Sequence, residues 1–174
     1  MTASRLWDAI VVGAGPAGSA ASALLAERGF DVLALEKDEF PRFHIGESLL
    51  PSGLTVLRDL GIEPSDDAFM FKRGAQFLRE STGLVSSFDF ADALPGPPRH
   101  AWHVERAKFD TMLRDKAAKC GALVRHGVAV TDMRVDSESA SVTTSYGVER
   151  GRFIIDATGQ DRLVAKLRDA TVPY

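Results

Sequence analysis

Cysteine is almost missing from this chain: Cys120 stands alone, so no internal disulfide can form. Long apolar runs are missing too, and the Ala-rich stretch Ala17–Ala26 is too short and too interrupted to span a membrane. There is no surplus of positive charge; a net charge of −3 gives no electrostatic basis for nucleic acid or an anionic membrane as partner. Met1–Asp8 carries one arginine and no apolar core of a secretory signal, so the chain reads as cytoplasmic. No internal repeat and no clustered metal ligands are visible, and no metal site is expected. What is there is globular: 174 residues, 45% hydrophobic and 26% charged, enough for one domain with a hydrophobic core and far from disordered or fibrous composition.

Ala9-Ile-Val-Val12 is a short apolar run between Asp8 and Gly13, the pattern of a strand buried on both faces. From Pro16 the apolar positions Ala17, Ala20, Ala21, Leu24 and Leu25 follow helical spacing, with Gly29 as the stop after Arg28. Asp31–Leu35 makes a second buried strand, completing a βαβ unit. Between Glu36 and Ser52 no period holds, and Pro41, Gly46 and Pro51 break the backbone; a loop this long in a compact domain is usually functional. A short helix is expected at Leu54–Leu60, closed by Gly61, and Gly74–Arg79 with Leu84–Phe90 alternate as an antiparallel pair. Pro95–Pro98 reads as a turn or loop. A helix runs from Arg106 to Cys120 with Phe109, Met112, Leu113, Ala117 and Cys120 on one face, ended by Gly121. Ala122–Arg125, Val128–Val135, Ser139–Ser145 and Val148–Asp156 then read as strands. The fold class is therefore α/β, a parallel sheet with an inserted antiparallel β-meander, the helix at Pro16 on one face and the meander on the other.

Gly13-Ala-Gly15-Pro-Ala17-Gly18 has the spacing G-x-G-x-x-G. Gly13 permits the turn out of the strand, Gly15 lets the backbone approach a pyrophosphate, and Gly18 lets helix and strand pack closely. The amides of the helix start, with Ala17 in its first turn, face the phosphates, and Pro16 suits a turn whose N–H groups have no helical partner. A glycine pattern alone is common in α/β turns. Here it follows a strand, opens a helix and is answered eighteen residues after Gly18 by Glu36, where a carboxylate accepts from ribose hydroxyls and disfavours a 2′-phosphate.

Phe40-Pro-Arg-Phe-His-Ile-Gly-Glu-Ser-Leu-Leu-Pro51 resembles the corresponding loop of flavin-dependent halogenases, within the group A flavin monooxygenase superfamily. Val104-Glu-Arg106 with Phe109-Asp110 and Leu113 is similar to the stretch where that superfamily's arginine opens a helix and reaches the cofactor. Phe153-Ile-Ile-Asp-Ala-Thr-Gly-Gln160 resembles its second FAD-contacting strand. The resemblance covers nearly the whole chain and implies a Rossmann-like FAD-binding domain over 1–174. It implies that Gly13, Gly15, Ala17 and Gly18 hold the pyrophosphate, Glu36 the ribose, Arg106 and Asp156–Gly159 the AMP half. Arg42, His44, Ile45, Gly46, Glu47 and Ser48 would run beside the flavin end. Lys72 stands where halogenases carry the catalytic lysine that receives hypohalous acid and delivers an electrophilic halogen. FADH2 would come from a separate reductase, halide would be the co-substrate, and the substrate would be a small electron-rich aromatic, free or tethered to a carrier protein.

The chain departs from the family in length. The substrate-binding sheet and the Trp-x-Trp-x-Ile-Pro motif have no counterpart; the only tryptophans, Trp7 and Trp102, stand far apart. The reading is of a chain truncated before the substrate domain, with apolar faces left for self-association. Three functions stay open: a halogenase or its cofactor part, a hydroxylase or reductase of the same superfamily, and a non-catalytic FAD-binding remnant or subunit of a split protein.

Overall fold

The structure, a computed structural model, describes residues 5–65, 67–93, 95–96, 98–137 and 139–168. Pro97 of the Pro95–Pro98 loop and residues 1–4 of the amino-terminal segment lie outside the described residues. The chain divides into two compact units, residues 1–42 with 109–174, and residues 43–108.

In chain order the elements are β1 (Leu6–Val12), α1 (Pro16–Glu27), β2 (Val32–Leu35), α2 (Pro51–Asp59), β3 (Met70–Lys72), β4 (Gly74–Arg79), β5 (Leu84–Asp89), β6 (Ala101–His103), α3 (Arg106–Lys119), β7 (Leu123–Arg125), β8 (Val130–Val135), β9 (Ala140–Thr144), β10 (Gly147–Asp156) and α4 (Leu163–Leu167). The expected α/β class holds. Among the described residues no helix is long and apolar enough to cross a membrane.

The larger unit is built on a six-stranded sheet in the order β7-β2-β1-β10-β9-β8. β7, β2, β1 and β10 run parallel, whereas β9 pairs antiparallel with β10 and β8 antiparallel with β9. β10 serves twice: Gly147–Gly151 pair with β9, while residues from Arg150 onward pair with β1. The meander is thus hydrogen-bonded to the parallel sheet and also packs on it. Ile10, Val12, Leu33 and Leu35 form one buried cluster with Val142, and Val130 and Met133 close on it. Arg125 of β7 reaches Glu149 of β10 at 2.5 Å although β2 and β1 lie between them in the sheet, so the β9–β10 end folds back over that face. Val11, Val32 and Ala34 alternate to the opposite face and are equally buried, where α1 lies against β1 and β2. The outer strand β7 has only three residues, and the other, β8, is interrupted by a bulge between Val130 and Asp132.

In the smaller unit α2 begins at Pro51, earlier than the apolar spacing suggested, because proline is at home in a first helical turn. Leu54, Leu57, Leu60, Phe69, Ala101, Trp102 and Val104 are buried. β4 and β5 form the expected hairpin, from Gly74↔Asp89 to Arg79↔Leu84. Its Phe77, Leu78, Leu84, Val85 and Phe88 are all exposed. β3 and β6, three residues each, pair antiparallel and were not expected from the sequence.

The contact between α1 and β1 admits no side chain. A Cβ on Gly18 would stand 1.8 Å from the Gly13 carbonyl oxygen, which is backbone and cannot move aside. Gly29, by contrast, has φ +84 with nothing within 4 Å of a built Cβ. Gly18→Ala should therefore lower unfolding free energy by about 3 kcal/mol or more through overpacking, and Gly29→Ala by only about 1 kcal/mol through the left-handed backbone; urea unfolding of both variants checks the ranking.

Candidate functional site

The site in the larger unit starts from the ends of three adjacent parallel strands. β1 stops at Val12, and the chain turns through Gly13 at φ +96 into α1. A Cβ on Gly13 would lie 2.5 Å from the Ala157 carbonyl oxygen, so the glycine turn and the turn after β10 sit directly against each other. Gly13 donates its N–H to Leu35 at 2.7 Å, and Ala157 donates to Val12 at 2.8 Å, tying the three strand ends together. Ala17 is exposed in the first turn of α1, where helical amides lack partners and favour an anion.

Glu36 directly follows β2 and is 4% exposed. The Ala14 amide donates to its Oε2 at 2.9 Å and the Asp38 amide to its Oε1 at 3.1 Å. Two main-chain donors thus fix both oxygens, and each carboxylate oxygen retains capacity for a further donor such as a ribose hydroxyl. Arg42 stands beside it, Nη2 3.5 Å from Glu36 Oε2 and Nη1 3.6 Å from Asp110 Oδ2, with Asp38 4.0 Å from its Nε. A Cβ on Gly15 would lie 3.4 Å from Arg42 Nη2. Arg42, expected with the loop running on to Ser48, is placed by the structure beside Glu36 and the glycine turn.

Asp156 takes the end of β10. Its Oδ1 accepts from the Thr158 amide at 3.0 Å and the Thr158 hydroxyl at 2.6 Å, and its Oδ2 from the Val164 amide at 3.0 Å. Thr158 Oγ1 in turn accepts from the Leu163 amide at 3.0 Å. The carboxylate builds the turn through Gly159, at φ +59, and the start of α4. Partial burial pushes the Asp156 carboxyl upward, but these hydrogen bonds outweigh it and hold the group below the usual carboxylate range. Lys37 pairs with Asp161 across the same turn.

In the smaller unit, the 44–48 loop is held at two points. Arg106, first residue of α3, donates Nη1 to the Ile45 carbonyl at 3.0 Å and the Gly46 carbonyl at 3.2 Å. Ser48 makes an antiparallel bridge to His103, whose Nδ1 lies 3.1 Å from Ser48 Oγ and whose Nε2 lies 3.2 Å from Glu47 Oε2. His44 and Ile45 are exposed. Lys72 stands apart from this cluster: it pairs with Ala101, two residues along β6 from His103, and its Nζ lies 5.4 Å from the Phe90 ring centroid.

Gly13, Gly15, Ala17, Gly18, Glu36, Arg42, Asp156 and Gly159 therefore gather in one unit, and Ile45, Gly46, Glu47, Ser48 and Arg106 in the other. Sequence reasoning quoted Asp110 only as part of the family-like stretch and gave it no role, and it missed His103. Asp110 carried a signal, a carboxylate set among the buried positions Phe109, Leu113 and Ala117 of α3. His103 carried none, since its three-residue strand has no period.

Asp156→Asn should destabilise the protein at pH 7 by about 0.5–1 kcal/mol, the screened value of an exposed hydrogen-bonded carboxylate. Because the folded-state pKa is depressed, wild type keeps its advantage above about pH 4 and loses it as pH falls through the folded value. Thermal melts of both proteins between pH 2 and pH 7 check this.

The geometry agrees with what the chain is similar to. It is 36% identical over 169 residues to a flavin-dependent halogenase of Armillaria mellea, which covers 91% of this chain and 33% of that protein. It is 33% identical over 172 residues to a 1H-pyrrole-2-carbonyl-[peptidyl-carrier protein] brominase of Pseudoalteromonas luteoviolacea, covering 95% of this chain and 41% of that one. Among solved structures, the flavin-dependent halogenase CmlS superposes with a TM-score of 0.84 at 32% identity, over 95% of this chain and 31% of its own. The chain thus spans between a third and two fifths of the length of these two curated relatives. Residues 7–172 match the family model described as FAD binding domain, running from the first strand past the Asp156–Gly159 turn, and the chain belongs to that family, with flavin-dependent halogenases among its relatives.

Proposed function

We propose that this chain forms the FAD-binding part of a cytoplasmic, FADH2-dependent halogenase acting on an electron-rich aromatic substrate. The observation that carries the reading is Glu36: a buried carboxylate oriented by two backbone amides beside a glycine turn that leaves no room for a Cβ. That is the donor and acceptor set an adenosine diphosphate moiety needs, so these residues fit FAD. Gly13, Gly15 and Gly18 would give the diphosphate access to the amides at the start of α1, and Glu36 would accept from the ribose. Gly159 and the turn built by Asp156 would flank the adenosine, and His44–Ser48 with Arg106 are proposed as further cofactor contacts on the family resemblance. Reduced FAD, when bound, supplies the oxygen-activating chemistry from which halide is converted to hypohalous acid.

Lys72 is proposed as the catalytic residue. An ammonium packed over an aromatic ring can donate a hydrogen bond to a hypohalous oxygen and polarise the O–halogen bond where water is kept away. Reduced FAD would be delivered by a separate reductase. That a relative's name describes a pyrrole carbonyl on a carrier protein supports a tethered substrate as one form.

The purified chain should be yellow or take up FAD, and Glu36→Gln should weaken FAD binding about tenfold and lower the melting temperature, because the amide NH2 cannot accept from one of the two backbone N–H groups; fluorescence titration and a thermal melt read the two effects. In the protein that carries this chain, supplied with FADH2, oxygen, halide and an electron-rich arene, Lys72→Ala should abolish halogenated product while FADH2 oxidation continues; unchanged product would remove Lys72 from the mechanism.

A further inference from the structure

α3 buries a face of Phe109, Leu113 and Ala117, and in the middle of it stands Asp110, 0% exposed. A carboxylate at such a position is costly: desolvation penalises the ion, and a small apolar side chain would satisfy the helix pattern without that cost. Its place is explained by Arg42, whose Nη1 lies 3.6 Å from Asp110 Oδ2 and whose side chain is 12% exposed. The other end of the same guanidinium, Nη2, lies 3.5 Å from Glu36 Oε2 and 3.4 Å from where a Cβ on Gly15 would be. One fork therefore rests on α3, and the other is aimed at the glycine turn.

We propose that Asp110 is a positioning residue of the dinucleotide site: it holds Arg42 over Gly15, so that the guanidinium faces the diphosphate of the bound nucleotide. This rests on the FAD-binding reading above and adds to it a fully buried residue of α3, sixty-eight positions from Arg42. The charge count gives the role its logic. Glu36, Asp38 and Asp110 surround one guanidinium, so the neighbourhood is acidic before a diphosphate arrives. An anion can be accepted there only if the cation is turned toward it. The negative charge of Asp110 taken by itself repels a diphosphate. A benefit to binding is therefore carried by the orientation it gives Arg42.

That separates two outcomes by sign. If Asp110 acts only through its field, neutralising it strengthens diphosphate binding; if it positions Arg42, neutralising it weakens binding. The test titrates the 174-residue chain with ADP and with adenosine, by calorimetry and by NMR, comparing wild type with Asp110→Asn and Arg42→Gln and recording melting temperatures. Asp110→Asn should weaken ADP about tenfold and leave adenosine within about twofold, a split that a general loss of folding does not produce. In an Arg42→Gln background, Asp110→Asn should cause no further loss of the preference for ADP over adenosine. Tighter or unchanged ADP binding in Asp110→Asn, or losses that simply add in the double variant, would overturn the proposal. Asp110→Ser, neutral and smaller, carries the same two outcomes if the asparagine variant does not fold. Wild type that binds no ADP would overturn the FAD-binding reading itself, before any variant is compared.

Discussion

The structure depends on a place where backbone meets backbone. Gly18 of α1 lies on the carbonyl of Gly13 so closely that a single methyl would collide with it, and Gly13 lies in the same way on the carbonyl of Ala157. Interiors are packed too densely to absorb an atom there by relaxation. Three consequences share this origin. The amino-terminal end of α1 is set against the end of β1, the Ala14 amide reaches Glu36 directly after β2, and the turn after β10 is brought against the glycine turn. Remove the close approach and the donor, the acceptor and the flanking turn separate together.

Much of this was legible in the residues because short-range rules govern it. β1, α1 and β2 announce themselves by apolar period and by glycines whose spacing has a mechanical reason, and the observed bounds differ by only a few residues. The β4–β5 hairpin, α3 and the four strands from β7 to β10 were readable for the same reason. β3, β6 and α4 were not. Met70-Phe-Lys72 and Ala101-Trp-His103 are too short to display a period, and each exists because the other pairs with it. α4 begins where Asp156 and Thr158 accept the amides of Val164 and Leu163, a capping arrangement supplied by residues outside the helix.

The candidate site divides along the same line. Glu36 and the glycines could be named from sequence because the βαβ connection fixes their separation. The partners of Arg42 could not, since Asp110 is distant in the chain and joins it only through the tertiary fold. Glu47 and Ser48 gave a similar lesson: the structure gives both of them His103, a partner more than fifty residues away that their place in the loop does not announce. Local pattern reports where the backbone must go, whereas charge pairing reports which side chains the completed fold must neutralise.

The two outer strands of the six-stranded sheet bear on a different matter, the growth of sheets between molecules. β7 offers three residues, and β8 is kinked by its bulge, so neither margin presents a long flat row of free amides to another chain. Strand addition and fibril-like stacking are discouraged at both margins. The β4–β5 hairpin, with exposed apolar side chains along both of its strands, has no such protection. A ribbon of twelve residues in the smaller unit thus carries exposed apolar side chains along both strands, whereas the margins of the six-stranded sheet are short or kinked.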